Sequence, residues 1–466
     1  MHNNRRRFLG GLTAIGGLSA SGAFAATNPC IGTWSGTLMG KLRLKLGIAS
    51  DSQATMYSLD QGGAPIAATA VTLSANGVTL AFASLNATYA GTLDGDTLKG
   101  SLTQNGQTLP LDFARGDLFP APPPPQITGA LTPEALTKVR SEAHIPGIGA
   151  AWAKGGAGAT IMVDGVRAAD APAPIESGDQ WHLGSITKSM TATVVARMIE
   201  KGGLTWDTTI GSVLGQAVPD MNPVYKTVTI RHLLSHHAGL PASIEMSDFA
   251  AFSRTDGPDP RPERLKYAAL ALKQTPVNTP GTAMLYSNSG FIVAGAILEA
   301  AYNKPWETLI TEQLFTPLHL SSAGFGPPGA NQPAGHRQSP DDPAKRVPLQ
   351  LDNPVALGPA GRVHMNLADL VTYLNLHLKC PESFLRADSW KTLHTPPFEG
   401  NYAMGWVVQP GGRLWHNGSN TMWYAEITVD PSAGAVAATA CNDGALGTAQ
   451  PAVNAVLKSA LARATA

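Results

Sequence analysis

The chain has 466 residues, enough for two or three domains, and its 33 Lys and Arg balance 33 Asp and Glu. Zero net charge excludes the basic field that nucleic-acid or anionic-surface partners require. No stretch reaches the ~18 uninterrupted apolar residues of a membrane span, so stable membrane insertion is not expected.

The first 25 residues join an arginine cluster, Arg5 to Arg7, to a short Gly-rich apolar run ending Ala23-Phe24-Ala25. That order predicts a twin-arginine export signal cut after Ala25, and hence a periplasmic or secreted mature protein. Cys30, Cys380 and Cys441 are an odd set allowing at most one internal disulfide, and Cys441, in the run AVAATAC, reads as a small buried side chain.

From residue 26 to 118 the pattern is short alternating strands: GTWSGTL, KLRLKLGIA, ATMYSL, VTLSANGVTLAF and ATYAGTLDGDTLKGSLTQNGQTLPLDF. Asn-Gly at 76–77 and 105–106 and Asp-Gly at 94–95 mark hairpins, which predicts a small antiparallel β domain. From Cys30 to Leu118 this segment has neither histidine nor glutamate, so an accessory role is expected of it. The run PAPPPPQ, inside a linker at 119–129, tends to polyproline II and marks the domain boundary.

The second domain, 130–466, opens on Thr132 as N-cap and Pro133 in the first turn of a helix reaching about Ala143. A strand follows in IPGIGAAWAK, then intermixed helices and long loops, then three close strands in LWHNGSN, WYAEITVD and AVAATACND and a helix from about Gln450 to Ala462. This order describes an α+β fold, an antiparallel sheet flanked by helices with a large helical middle.

Three segments carry candidate chemistry. In WHLGSITKSMTATVVARM, apolar residues at Ile186, Met190, Val194, Val195 and Met198 fit a buried helix face, with Ser185 near the helix start and Lys188 one turn on. Burial favours the neutral amine, by up to ~3 to 5 pKa units, and a neutral amine beside a serine is a general base. In PGTAMLYSNSGFIVAGAILEA, Tyr286 lies in the loop before an apolar helix starting near Gly290; a phenol near an ammonium and a helix N-terminus would titrate below its normal value. Asn288 can offer amide and carbonyl to a substrate peptide group. In LWHNGSNTMWYAEITV, His416 opens a tight segment, Gly418 lets substrate backbone approach the sheet edge, and Ser419 offers a main-chain N–H that pairs with that of Ser185 as an oxyanion site. His416 can anchor a substrate carboxylate when protonated or pass a proton to the leaving group.

Rival chemistries lack their patterns. No serine sits in G-x-S-x-G, which disfavours the α/β-hydrolase elbow. His232, His236 and His237 include an i, i+4 pair, but no H-E-x-x-H accompanies it, so no metal is expected.

SITK, YSN and HNG in that order, about 100 and 130 residues apart, resemble the serine β-lactamase and penicillin-binding-protein-like superfamily, in particular its class C β-lactamase, DD-peptidase and family VIII carboxylesterase branch. RHLLSHHAGLP (231–241), PAGRVHMNLADLVTYL (359–374) and YAMGWVV (402–408) extend the resemblance. It implies a β-lactamase/transpeptidase-like fold without cofactor, Ser185 as nucleophile, Lys188 as the family's base, Tyr286 as the phenol, Asn288 as the amide and His416 as the third-element residue; the sequence leaves open whether neutral Lys188 or a Tyr286 kept ionised by Lys188 takes the serine proton. It also implies an exported hydrolase forming an acyl-enzyme on an ester or D-Ala-D-Ala peptide, with a β-lactamase or an acylated, non-turning-over receptor as alternatives. β-Lactamases of this branch usually carry Lys-Thr-Gly where this chain has His-Asn-Gly, a departure that counts against efficient β-lactam hydrolysis.

Overall fold

The computed structural model describes residues 28–465 apart from 41, 60–64, 105, 120–124, 340 and 343. The expected export signal and most of the proline run lie outside the described residues. The chain separates into two compact units that divide between Pro120 and Ala121.

The first unit is a ten-stranded antiparallel sheet from Gly32–Leu38 to Phe113–Arg115. Its core follows from period two: in LRLKLGI, Leu44, Leu46 and Ile48 turn inward beside Trp34, Leu80, Phe82 and Phe113. Asp94 and Thr97 pair across a two-residue loop in which Gly95 takes a φ of +59°, the left-handed conformation that Asp-Gly signals. The short strand Pro65–Ala67, absent from the sequence reading, pairs with Ala54–Ser58.

The second unit is built on a seven-stranded antiparallel sheet. Its strand order is Ala171–Pro174, Thr160–Ala168, Gly147–Lys154, Ala435–Cys441, Tyr424–Asp430, Leu414–Ser419, Val407–Val408. The central strands are buried on both faces, and alternation divides their side chains between two cores. Ile148, Ala150, Trp152, Ala437 and Cys441 pack with the helices Pro133–Glu142 and Leu446–Thr465. Ala151, Ala153, Ile427 and Ala438 join the larger core holding the helices Thr187–Lys201, Asn288–Tyr302 and Leu367–Lys379. Small residues such as those of AVAATAC let helices approach from both sides. The first helix is capped as expected, Thr132 accepting from the Ala135 amide. The last begins at Leu446, earlier than expected, and carries Pro451 inside it, where the missing N–H removes one bond to the carbonyl four residues back. Cys30, Cys380 and Cys441 are all free thiols, and no helix among the described residues is long and apolar enough to cross a membrane.

All three candidate segments lie in the second unit. A chain lacking residues 26–126 is therefore expected to fold and to keep Ser185 labelable by a nitrophenyl ester; a soluble, folded truncation that no longer labels would refute this independence.

Candidate active site

The strand Gln180–His182 pairs with Val363–Asn366 and delivers the chain to Gly184, whose φ of +49° favours glycine. One 3-10 turn, Gly184–Ile186, runs directly into the helix Thr187–Lys201. This helix is not amphipathic as expected but buried on nearly every side, and in the run 181–190 only Ser185 is partly exposed.

Lys188 is fully buried, and its Nζ has three neighbours: Ser185 Oγ at 2.8 Å, Asn288 Oδ1 at 2.8 Å and the Ala360 carbonyl at 2.7 Å. Burial holds its pKa well below the ordinary lysine value, and no carboxylate partner offsets this among the described residues. A neutral amine has two N–H donors and one lone pair. The Asn288 and Ala360 oxygens can only accept, so they take the donors and leave the lone pair facing the Ser185 hydroxyl.

Tyr286 and Asn288 are placed by the turn at 235–242. The His236 carbonyl accepts the Leu285 amide at 2.9 Å, its Nδ1 accepts the Ser287 amide at 3.1 Å, and its ring lies 4.3 Å from the Tyr286 ring. The Ala242 carbonyl accepts the Asn288 amide at 3.0 Å. Asn288 is therefore the first residue of its helix, with Ser287 as N-cap, rather than a loop residue ahead of one. Tyr286 is 37% exposed at the rim, yet its hydroxyl is hydrogen-bonded with Ser185. The expectation that this phenol titrates below its normal value is overturned. Burial of the hydroxyl pushes it well above, only partly offset by the bond to Ser185, because the amine that was to lower it is itself neutral.

The third segment meets the nucleophile turn backbone to backbone. A Cβ on Gly418 would lie 2.5 Å from the Ser185 nitrogen and 2.1 Å from the Leu183 carbonyl oxygen, and one on Gly184 would lie 2.3 Å from the Ser419 nitrogen. Gly418, expected to admit substrate, thus makes room for the protein's own chain. The Ser419 hydroxyl is engaged within its turn by the Trp423 carbonyl and the Thr421 amide. His416 is 2% exposed and has both nitrogens engaged, Nδ1 2.6 Å from the Asn417 carbonyl and Nε2 2.8 Å from the Tyr402 hydroxyl.

Four residues that sequence reasoning assigned no role complete the arrangement: His182, His236, Asp352 and Tyr402. Asp352 is a buried hub. Its Oδ1 lies 2.9 Å from His182 Nε2 and 3.0 Å from Asn420 Nδ2, and its Oδ2 accepts from Arg362 Nε at 3.0 Å. His182 Nδ1 in turn accepts the Gly184 amide at 3.1 Å, while Asn420 Oδ1 accepts from Met422 and Trp423 in the turn after Ser419. One carboxylate thereby braces both backbone segments that meet at Ser185 and Ser419. Burial pushes its pKa up, but His182, Arg362 and Asn420 outweigh burial and hold it at about 2. His236 and Tyr402 stand inside segments already marked by the resemblance, whereas nothing local distinguishes Asp352.

A serine at a helix start, a buried lysine one turn on and a flanking antiparallel sheet are the frame of β-lactamase-type serine hydrolases. A family model described as Beta-lactamase matches residues 133–461, and the chain belongs to that family. Penicillin-binding protein 4 of Amycolatopsis lactamdurans is 27% identical over 334 residues, covering 67% of this chain and 84% of that protein. An unguisins hydrolase of Aspergillus campestris is 26% identical over 335 residues, 66% of this chain and 60% of its own length. The D-amino acid amidase of Ochrobactrum anthropi SV3, solved with L-phenylalanine amide, superposes with a TM-score of 0.56 at 20% identity, covering 70% of this chain and 98% of the amidase, a likeness of fold.

Asp352→Asn keeps the shape of the hub and removes its charge. Because the folded pKa is depressed, the charge stabilises fully above the ordinary carboxylate range, and that stability is lost as pH falls from about 4 to about 2. Urea titrations are expected to show the wild type losing its advantage over the variant across that window; a constant difference would refute the assignment.

Proposed function

We propose that the protein is a serine hydrolase acting through an acyl-enzyme on Ser185, with an ester or amide as substrate, of the carboxylesterase or D-alanyl-D-alanine carboxypeptidase type. The observation that carries this reading is the Lys188 amine, buried without a counter-ion and 2.8 Å from the Ser185 hydroxyl. Serving as base, Lys188 takes the hydroxyl proton as Oγ attacks the carbonyl. The Ser185 and Ser419 amides receive the oxyanion, each such donor being worth on the order of 3 kcal/mol. Collapse breaks the bond to the leaving group, which takes its proton from the Tyr286 hydroxyl, and Tyr286 recovers one from the Lys188 ammonium. Water then attacks the ester with the same groups in reverse. Asn288, its oxygen turned to Lys188, has its NH₂ for a substrate carbonyl.

The family match and the amide-processing fold neighbour both support acyl transfer. Export by the twin-arginine route rests on the arginine cluster and apolar run alone.

Purified protein is to be mixed with a short-chain nitrophenyl ester, a D-Ala-D-Ala peptide and a chromogenic cephalosporin, beside Ser185→Ala. Turnover of at least one compound, lost in the variant, is expected; stoichiometric labelling without turnover would make the protein a receptor instead. Lys188→Arg is expected to abolish burst acylation, since a guanidinium does not deprotonate, and retained labelling would remove Lys188 as base. The acylation rate is also expected to fall only below the depressed lysine pKa, staying level through neutral and mildly alkaline pH. A limb near ~10.4, the free-lysine value, would contradict a neutral resting amine.

A further inference from the structure

The acyl-transfer scheme leaves one buried pair without a task, Tyr402 and His416. The Asn417 carbonyl can only accept, so the His416 proton lies on Nδ1, and Nε2 accepts from the Tyr402 hydroxyl. The ring therefore rests as a neutral imidazole with no nitrogen left for a substrate. Each group facing the pair is also uncharged. Lys188 is held neutral by burial, and so is His236, whose ring lies 4.4 Å from that of Tyr402. Tyr286, 6.4 Å from Tyr402 ring to ring, and Tyr402 itself keep their phenolic protons. Burial holds the imidazole pKa at about 3, the hydrogen bond to Asn417 offsetting only part of this.

The location gives this neutrality a consequence. His416 lies two residues along its strand from Gly418, on the same face, so it stands about 7 Å from the backbone meeting point of Ser185 and Ser419. A substrate carboxylate reaching that far beyond the scissile carbonyl would meet a neutral imidazole, and the described residues facing the pair bring it no positive charge. Arg362, placed in the same network, is already committed to Asp352 and Asp256. The rim beside Tyr286 is apolar, with Met284 43% and Leu285 36% exposed.

We propose that Tyr402 and His416 form a specificity-determining pair that makes this site select acyl donors uncharged beside the scissile bond, neutral esters or carboxamides rather than peptides ending in a free carboxylate. The inference rests on the acyl-transfer reading above. An anion placed in a dry pocket without a counter-charge is strongly disfavoured, whereas a carboxamide or alkyl ester brings no charge to desolvate. Tyr402 acts through His416, as a positioning residue that keeps Nε2 unprotonated.

The test uses the full mature chain and two matched compounds, the ester of N-acetyl-D-alanine with D-lactic acid and the same ester bearing the lactyl carboxamide. Each competes against hydrolysis of a nitrophenyl ester near neutral pH, so that substrates and inhibitors are both read. The carboxamide is expected to compete at least about tenfold better than the carboxylate. His416→Lys, which supplies a cation, is expected to close or reverse that ratio, and Tyr402→Phe, which frees Nε2, to narrow it. A change of stability alone would leave the ratio in place. Equal competition, preference for the carboxylate, or competition by neither compound overturns the selectivity while leaving acyl transfer intact. Loss of Ser185-dependent hydrolysis of the nitrophenyl ester itself would instead sink the acyl-transfer reading and this inference with it.

Discussion

A primary amine buried with no carboxylate to pair it is the constraint around which the second unit is organised. A charged ammonium at that depth would lack compensation, so Lys188 resides as the free amine, and its hydrogen-bonding capacity then becomes directional. Two oxygens, from Asn288 and Ala360, orient it toward a third, on Ser185. Those oxygens come from chain segments 100 and 172 residues away, so the base is aimed by the packing of three helical elements and not by its own helix alone.

Around this amine, neutrality recurs. His236 and His416 are both held far below the usual histidine range by burial, and Tyr286 and Tyr402 are held above the usual phenol range. Backbone partners set the two imidazole tautomers: the Asn417 carbonyl fixes that of His416, and the Ser287 amide fixes that of His236. Beneath the nucleophile turn the charge sits in the Asp352 hub, where the carboxylate meets the Arg362 guanidinium and the His182 ring. The electrostatics thus divide into a charged brace and an uncharged reaction centre.

The brace and the close approach of Gly184 to Gly418 solve a single geometric problem. Two main-chain amides from segments more than 230 residues apart must point at one place, and backbones come that near only where neither carries a Cβ. Asp352 then holds both segments through side chains that each bond a main-chain amide, His182 on one side and Asn420 on the other.

Much of this was legible in the chain itself. Period-two alternation and Asn-Gly and Asp-Gly pairs disclosed the first unit, because local side-chain periodicity is set by which face is buried, and three short apolar runs close together disclosed the adjacent strands at 414–441 of the second. Ser185 and Lys188 were legible because one helical turn brings them together, a relation contained within four residues. Asp352, His182 and Tyr402 were not, since a buried aspartate or tyrosine carries no periodic mark and its meaning lies in partners far away in sequence. The direction of the Tyr286 shift was misread for the same cause: it depends on how deeply a distant amine is buried and whether that amine is charged. The sequence by itself determined the elements, their order and the reactive residue types, all consequences of short-range patterning. Only the tertiary structure decided which groups are charged and which nitrogen carries a proton, because desolvation and hydrogen-bond partnership arise when segments hundreds of residues apart exclude water together.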